Sequence, residues 1–314
     1  MPRHDLSMLT YTLVAGLLFG LYFSLVGLGL NLVFGVMRIV NLAHGDFLML
    51  GAFLAFWLFK LLAFNPLVTI PVAFALFLLL GLPLYYLLVP RLLSARDPEM
   101  LSIILFFGVS QVIEAVTTIA FGTSERSIPG MALGNAVKWA ASVIGVGYEP
   151  GPVAILGQSF PISWVMSGLA GALAVLGIYL YLYCTRLGYL TRAVMVSREE
   201  AISTGIDVHR VSAIAFGIGI ALAAIAGIFA PFMLNIITPA MGVDATITSF
   251  AVIVIGSLGN PLGTVLGGVI YGVSLIFLQQ SSYSSWANTL PYLLLIGVLL
   301  ARPSGLLGRQ TRRA

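Results

Sequence analysis

The chain has 314 residues, 60% of them hydrophobic and 8% charged, with a formal net charge of +4. A soluble domain carries roughly 25% charge, and a soluble core of this length cannot hide so much apolar surface. A mean hydropathy of +1.06 therefore excludes a soluble enzyme or binding module and indicates an all-α polytopic membrane protein. The basic pI of about 9.3 is explained by membrane topology rather than by nucleic acid. Cys184 is the single cysteine, so no disulfide forms within one chain.

A membrane helix needs roughly 20 apolar residues. In chain order the spans are predicted at 8–36, 45–63, 66–90, 100–121, 160–183, 211–234, 246–258, 262–280 and 288–301. Met1 to Ser7 precede a span too long for a cleavable signal core, so the first span is read as an anchor. The first span is long and the seventh short; either is a candidate for a broken or re-entrant helix, and the count is eight or nine.

The join between the first two spans, GLNLVFGVMRIVNLAHGDFLMLGAF from Gly29 to Phe53, gathers Asn31, Arg38, Asn41, His44 and Asp46. Polar groups at membrane depth normally face a protein interior or a water path. Two readings stay open. In one, Asp46 caps the next helix and His44 satisfies backbone carbonyls; in the other, these residues line a gate or substrate path. One histidine and one carboxylate are too few for a metal site. Further on, Gln111 and Glu114 lie one turn apart on the fourth span. Glu114, read as the only acid within the clear spans, either couples transport to protons or reaches the interface.

Residues 122–159 form one large loop, with turn chemistry in GTSERSIPG and GVGYEPGP and a mildly amphipathic run from Asn135 to Ile144. It either caps a pore or receives a partner, or is a solvated connector. The longest strongly charged run follows the next span, TRLGYLTRAVMVSREEAISTGIDVHR from Thr185 to Arg210. Residues 189–204 contain no proline or glycine and predict one helix, with Gly205 at its stop. Pro231, Pro239 and Pro261 bracket the seventh span. SLGNPLG, Ser257 to Gly263, is either a breaker lining a cavity or an ordinary hairpin. Asn260 sits in this turn.

Small residues recur every fourth position at Gly16, Gly20 and Ser24, at Gly219, Ala223 and Gly227, and at Thr264, Gly268 and Gly272. They predict close helix seams, within the chain or against a second subunit. VFGVMRIVNLAHG and VIVIGSLGNPLG share an apolar run, a glycine and a polar turn, a weak sign of duplication. With the Thr185–Arg210 loop placed in the cytoplasm and nine alternating spans, eleven arginines fall inside and four basic residues outside. The inner set is Arg38, Arg91, Arg96, Arg186, Arg192, Arg198, Arg210, Arg302, Arg309, Arg312 and Arg313; the outer set is Arg3, Lys60, Arg126 and Lys138. The C-terminus is then cytoplasmic.

No phosphate-binding loop is present, and neither lysine, Lys60 nor Lys138, follows a glycine-rich run. His4, His44 and His209 make no triad or metal set. An ATP-driven process would need its ATPase on another chain.

Three of these stretches together are similar to the LivH-type permeases of branched-chain amino acid ABC transporters. They are GLNLVFGVMRIVNLAHGDFLMLGAF, RAVMVSREEAISTGIDVHRVSAIAFGIGIALAAIAGIFA and FAVIVIGSLGNPLGTVLGGVIYG, followed by the ending ARPSGLLG. The resemblance spans nearly the whole chain; only 122–159 lacks a matching motif. It implies a single permease domain, 1–314, in a bacterial inner membrane, with 122–159 periplasmic, 185–210 a cytoplasmic coupling loop and 302–314 a cytoplasmic tail. It also implies a second permease subunit (in this family usually a different chain), two cytoplasmic ATPases and a periplasmic binding protein. The chain itself would hold no cofactor, because ATP and Mg are bound by the partner subunits. Leucine, isoleucine and valine are the main substrates implied; related permeases carry other amino acids, urea, short amides or aromatic acids.

The E-A-A-x-x-x-G motif of importer permeases maps here onto Glu199, Glu200, Ala201 and Gly205, with Arg192 and Asp207 matching its surroundings. Glu200 replaces an alanine, which puts tight packing there in doubt. The resemblance implies a coupling helix with an apolar side of Ala193, Val194, Ala201 and Ile202 and charges at its rim. Candidates for the translocation path are Asn31, Asn41, His44, Asp46, Gln111, Glu114 and Asn260. The rival readings are a self-contained secondary transporter or channel using Glu114 or Asp46, and an intramembrane enzyme, for which no catalytic pair is found.

Overall fold

The computed structural model describes residues 3–302 and 304–308. The tail arginines Arg309, Arg312 and Arg313 lie outside the described residues. The described residues fold as twelve α-helices, one 3-10 turn and one small hairpin. Eight helical segments are long and apolar enough to cross a membrane, as the hydropathy pattern requires. They are α1 (Arg3–Met37), α2 (His44–Leu62), α3 (Pro66–Leu93), α4 (Pro98–Phe121), α6 (Ile162–Cys184), α9 (Val208–Met233), α11 (Pro261–Gln280), and the turn Ser284–Thr289 joined to α12 (Leu290–Ala301). The first span is one unbroken helix.

The ninth apolar helix, α10 (Met241–Gly256), has 16 residues. At 1.5 Å per residue it is about 24 Å long, short of a hydrocarbon core of about 30 Å. It begins five residues before the predicted span at 246–258. No side chain caps its start at Ala240, so the usual sequence signal is missing.

Most of the bundle interior is supplied by α1 and α9, the two most buried spans; α3, α4, α6 and the last span are largely exposed along their length. The small-residue stripes are the reason α1 and α9 can sit in the middle. A Cβ on Gly20 would come within 2.6 Å of Val269 Cα, and one on Gly16 within 2.7 Å of Val273 Cα, so α1 lies directly on α11. Gly227 and Gly51 let α9 and α2 approach backbone to backbone, against Leu48 and Ala224 respectively. Gly219 meets Gly29 across α9 and α1, and Gly81 meets Gly217 across α3 and α9. All these seams lie within the chain.

The packing has an internal symmetry. Helix α1 lies along α11 as α9 lies along α3; α2 leans on α9 as α10 leans on α1; and α2 meets α10. The repeating units are α1–α3 and α9–α11, with opposite direction through the bundle. The sequence match had instead paired the α1–α2 join with the α10–α11 join, and those two are different structures. Residues 38–43 run without helix, whereas 257–260 is a tight turn with positive φ at Ser257 and Gly259.

At one end of the bundle sit α5 (Gly130–Val143) and the antiparallel hairpin of β1 (Val153–Ile155) and β2 (Gln158–Phe160). The amphipathic run was legible; its helix starts five residues before Asn135. The hairpin was not foreseen. Leu156 and Gly157 both have positive φ, the backbone a two-residue hairpin turn requires. Arg126 pairs with Ile237 through two backbone hydrogen bonds of 3.0 and 2.8 Å. Its guanidinium lies 5.0 Å from the Trp57 ring centroid, and it also donates to the Phe121 carbonyl. This arginine ties the large loop to α2 and to the segment after α9. The opposite end carries α7 (Arg186–Val196), α8 (Arg198–Ser203) and the 257–260 turn.

The closing ARPSGLLG segment has a structural task. Leu306 N–H donates to Ile255 O at 2.9 Å and Leu307 N–H to Gly256 O at 3.0 Å. These two carbonyls belong to the unpaired last turn of α10.

Candidate functional site

Three places concentrate the polar residues: a helix crossing in the middle of the bundle, a cavity beside it, and the charged loop at one end.

At the crossing, α1 ends at Met37 and the chain turns back at Arg38, whose φ is +56°. Residues 38–43 then climb without helical structure until α2 starts at His44. His44 Nε2 lies 3.1 Å from Val26 O, eleven residues before the end of α1. Helix α2 thus begins about 16 Å inside the bundle, measured by helix rise. Non-helical backbone at this depth survives only where protein covers it, and Ile39, Asn41 and Ala43 are fully buried.

The first turn of α2 meets the first turn of α10 there. Gly45 and Gly242 touch, and neither position has room for a Cβ. Thr246 Oγ1 accepts from Gly45 N–H at 2.9 Å and donates to Leu42 O at 3.0 Å. Ser249 Oγ donates to Ala245 O at 2.7 Å and lies 3.3 Å from Val26 O. Two helix N-termini therefore converge in mid-bundle, held by one threonine that sequence reasoning did not single out.

The structure corrects the capping expectation for Asp46. The start of α2 has no side-chain cap; Asn41 Oδ1 accepts from Ala43 N–H at 3.0 Å instead. Asp46 is the third helical residue, is fully buried, and caps no backbone N–H; its carboxylate faces the Ser110 hydroxyl. It packs on Gly242, and Ser110 and Glu114 of α4 are within its electrostatic reach. Asn41 Nδ2 and His44 Nδ1 are buried without a partner. The expectation that His44 meets a backbone carbonyl is met. Among the described residues no three His, Cys, Asp or Glu side chains are grouped to hold a metal.

Asn31 and Asn260 are committed to the fold. Asn31 Nδ2 donates to Asn260 O at 2.8 Å and approaches Ser257 O and Thr264 Oγ1, while its Oδ1 accepts from Gly259 N–H. Asn260 Oδ1 caps α11 by accepting from Leu262 and Gly263 N–H at 3.1 and 3.4 Å. The SLGNPLG turn is thus a hairpin clamped to α1. Gln111 is exposed on α4 and Glu114 half-buried.

The cavity is about 600 Å³ and lies between α1, α10, α11 and the start of α12. Its walls include Tyr22, Phe23, Val26, Leu48, Met241 and Leu275; its polar residues are Thr238, Asp244, Thr248, Tyr271, Gln279, Asn288 and Tyr292. None of the seven path candidates lines it. Asp244 was overlooked because the seventh span was placed two residues beyond it. With α10 starting at Met241, Asp244 is an acid of the first helical turn, so Glu114 is not the only acid on a membrane helix.

In the charged loop the single predicted helix is two. Helix α7 ends at Ser197, whose extended backbone breaks the run and whose Oγ caps α8 by accepting from Glu200 N–H at 3.3 Å. Ser197 and Glu200 have the spacing of a capping box. The reciprocal bond is absent, because Ser197 N–H closes α7 on Ala193 O at 3.2 Å. Gly205 has φ +81°. Gly205 N–H reaches Ile202 O and Ile206 N–H reaches Ala201 O, both at 3.0 Å. That pair of bonds is a Schellman motif, which needs a left-handed residue where Gly205 stands.

The apolar face expected for docking is also corrected. Val194 and Ala201 are buried inside this chain, whereas Val196 and Ile202 are 83% and 57% exposed. Glu199 and Glu200 are exposed beside Ile202. The charge at Glu200 therefore costs no packing. Arg192 is held over two rings, its Cζ 4.4 Å from the Tyr183 centroid and 4.9 Å from that of Tyr189. Asp207 Oδ1 caps α9 by accepting from Arg210 N–H at 3.0 Å.

These features define a multi-pass, predominantly helical membrane protein with two helix N-termini meeting at its centre. Residues 12–299 match the family model described as the branched-chain amino acid transport system / permease component. The chain belongs to that family. It is 29% identical over 95% of both chains to the high-affinity branched-chain amino acid transport system permease protein BraD of Pseudomonas aeruginosa. It is 25% identical over 94% of both chains to the permease protein LivH of Escherichia coli. A probable branched-chain amino acid transport permease protein LivH of Methanocaldococcus jannaschii is 26% identical over 90% of this chain and 88% of its own. No solved structure matches the chain.

Proposed function

We propose that this chain is the permease subunit of an ATP-driven importer of branched-chain amino acids, and that α8 is where a cytoplasmic ATPase grips it. The observation that carries this is the α8–Gly205 unit: a short capped helix that buries Ala201 inward and presents Glu199, Glu200 and Ile202 outward. Such a unit transmits force because both its ends are pinned, by Ser197 and by the Schellman motif. ATPase closure would push α8, and α7 and α9 would carry the motion to the central crossing.

On this reading the chain lies in a bacterial inner membrane beside a second permease, with two ATPases beneath and a binding protein above. ATP and Mg belong to the ATPases. Arginine placement supports the orientation. Arg38, Arg91, Arg96, Arg186, Arg192, Arg198, Arg210 and Arg302 fall at the α8 end, against Lys60, Arg126 and Lys138 at the other, besides Arg3 at the start of α1. Glu199→Lys should abolish ATPase co-purification and uptake. Unchanged assembly and uptake in that variant would remove the docking role from α8.

A further inference from the structure

We propose that the cavity between α1, α10, α11 and α12 is a transit site for a zwitterionic amino acid with an aliphatic side chain. Asp244 receives the ammonium group, and the amides of Gln279 and Asn288 receive the carboxylate. This rests on the importer reading above and locates a substrate site inside the permease, beside the crossing and on residues other than the seven path candidates.

The cavity's volume of about 600 Å³ falls in the range of small-molecule sites, roughly 300–1,000 Å³. Seven polar residues share the lining with apolar walls, and Asp244, Gln279 and Asn288 among them are exposed; polar groups placed around an apolar pocket fix a ligand's orientation. Among the described residues Asp244 is the only formal charge in the lining, and no basic residue lines it. The ion pair among the described residues, Lys138 with Glu149, lies elsewhere, so the Asp244 carboxylate has no cation to neutralise it. Thr248 and Tyr271 stand beside Asp244 as hydroxyl neighbours.

An exposed carboxylate with no basic neighbour in the lining, set beside apolar walls, selects a ligand with one cationic group and a greasy body. A dicarboxylic amino acid would place a second carboxylate near Asp244 and be repelled. Urea or a short amide has no cation and gains nothing from it. The Tyr22, Phe23 and Leu275 walls suit an aliphatic chain. A roomy cavity holds such a ligand loosely, which suits a stop along a path: favourable enough to enter, weak enough to leave.

The test uses the assembled importer in proteoliposomes, with its binding protein, and follows ATP-driven leucine uptake and labelling by a diazirine analogue of leucine. In the wild type, label should fall on peptides of 241–280 and be displaced by excess leucine. Asp244→Asn, compared at equal recovery of assembled complex, should cut both uptake and labelling about 10-fold, as expected for loss of one charged hydrogen bond. Asp244→Glu should restore most of both. If Asp244→Asn does not assemble, Gln279→Leu should show the same paired loss. Uptake and labelling within twofold of wild type in the Asn or Leu variant would overturn the site while leaving the importer reading intact. A wild-type complex that neither transports nor is labelled by leucine contradicts both.

Discussion

Replacing Gly205 separates backbone geometry from side-chain contact in the docking unit. Its φ is +81°, and an added Cβ would meet nothing within 4 Å. The cost of any side chain is therefore conformational. An L-residue held in the left-handed region loses about 1–2 kcal/mol, and asparagine is the side chain that best tolerates it. Valine, being β-branched, bears at least the middle of that range. A loss of about 1.4 kcal/mol is tenfold in an equilibrium, so Gly205→Val should lower the population of correctly closed α8 about tenfold. Gly205→Asn should leave most of it. The assay is ATPase co-purification at limiting ATPase, followed by ATP-driven leucine uptake. We expect Val to be about tenfold impaired and Asn to remain within about threefold of wild type. Equal impairment of Val and Asn would show that the site rejects bulk, and would refute the backbone argument; two active variants would refute the need for the Schellman closure.

Other outcomes follow from the crossing and its clamps. Asn31→Leu removes the side chain that holds the 257–260 turn to α1; it should destabilise the purified protein by about 1–3 kcal/mol, seen as a lower melting temperature in detergent. Asp46→Asn should act with opposite signs on two readouts. It removes a buried carboxylate that no cation neutralises, so the melting temperature should rise, while uptake falls if that charge serves the moving crossing; unchanged values of both would leave Asp46 without a role. Gly305→Ala should destabilise the protein, because φ is +74° and a Cβ would lie 2.7 Å from Val254 O.

The long spans were legible because each needs about 20 apolar residues and little else in the chain offers them. Where helices start without a capping side chain, as at Ala43 and Ala240, the sequence carried no marker, and the central crossing and Asp244 were missed together. The break at Ser197 did have a marker, the Ser197–Glu200 spacing, but it was masked by good helix formers on both sides. The exposure of Glu200 is a tertiary fact: only the packing of Ala201 against the bundle decides which way α8 faces. Asn31 and Asn260 looked like path residues because they are polar at depth; their hydrogen bonds are spent on one turn.

The central claim is that the energy for this permease comes from another protein. It is tested most directly by leucine uptake into proteoliposomes holding this chain with its partner permease, with and without the ATPases, under ATP or under an imposed proton gradient. The account predicts uptake only with ATPases and ATP. Uptake by the permeases alone, driven by the gradient and abolished by Glu114→Gln, would contradict it.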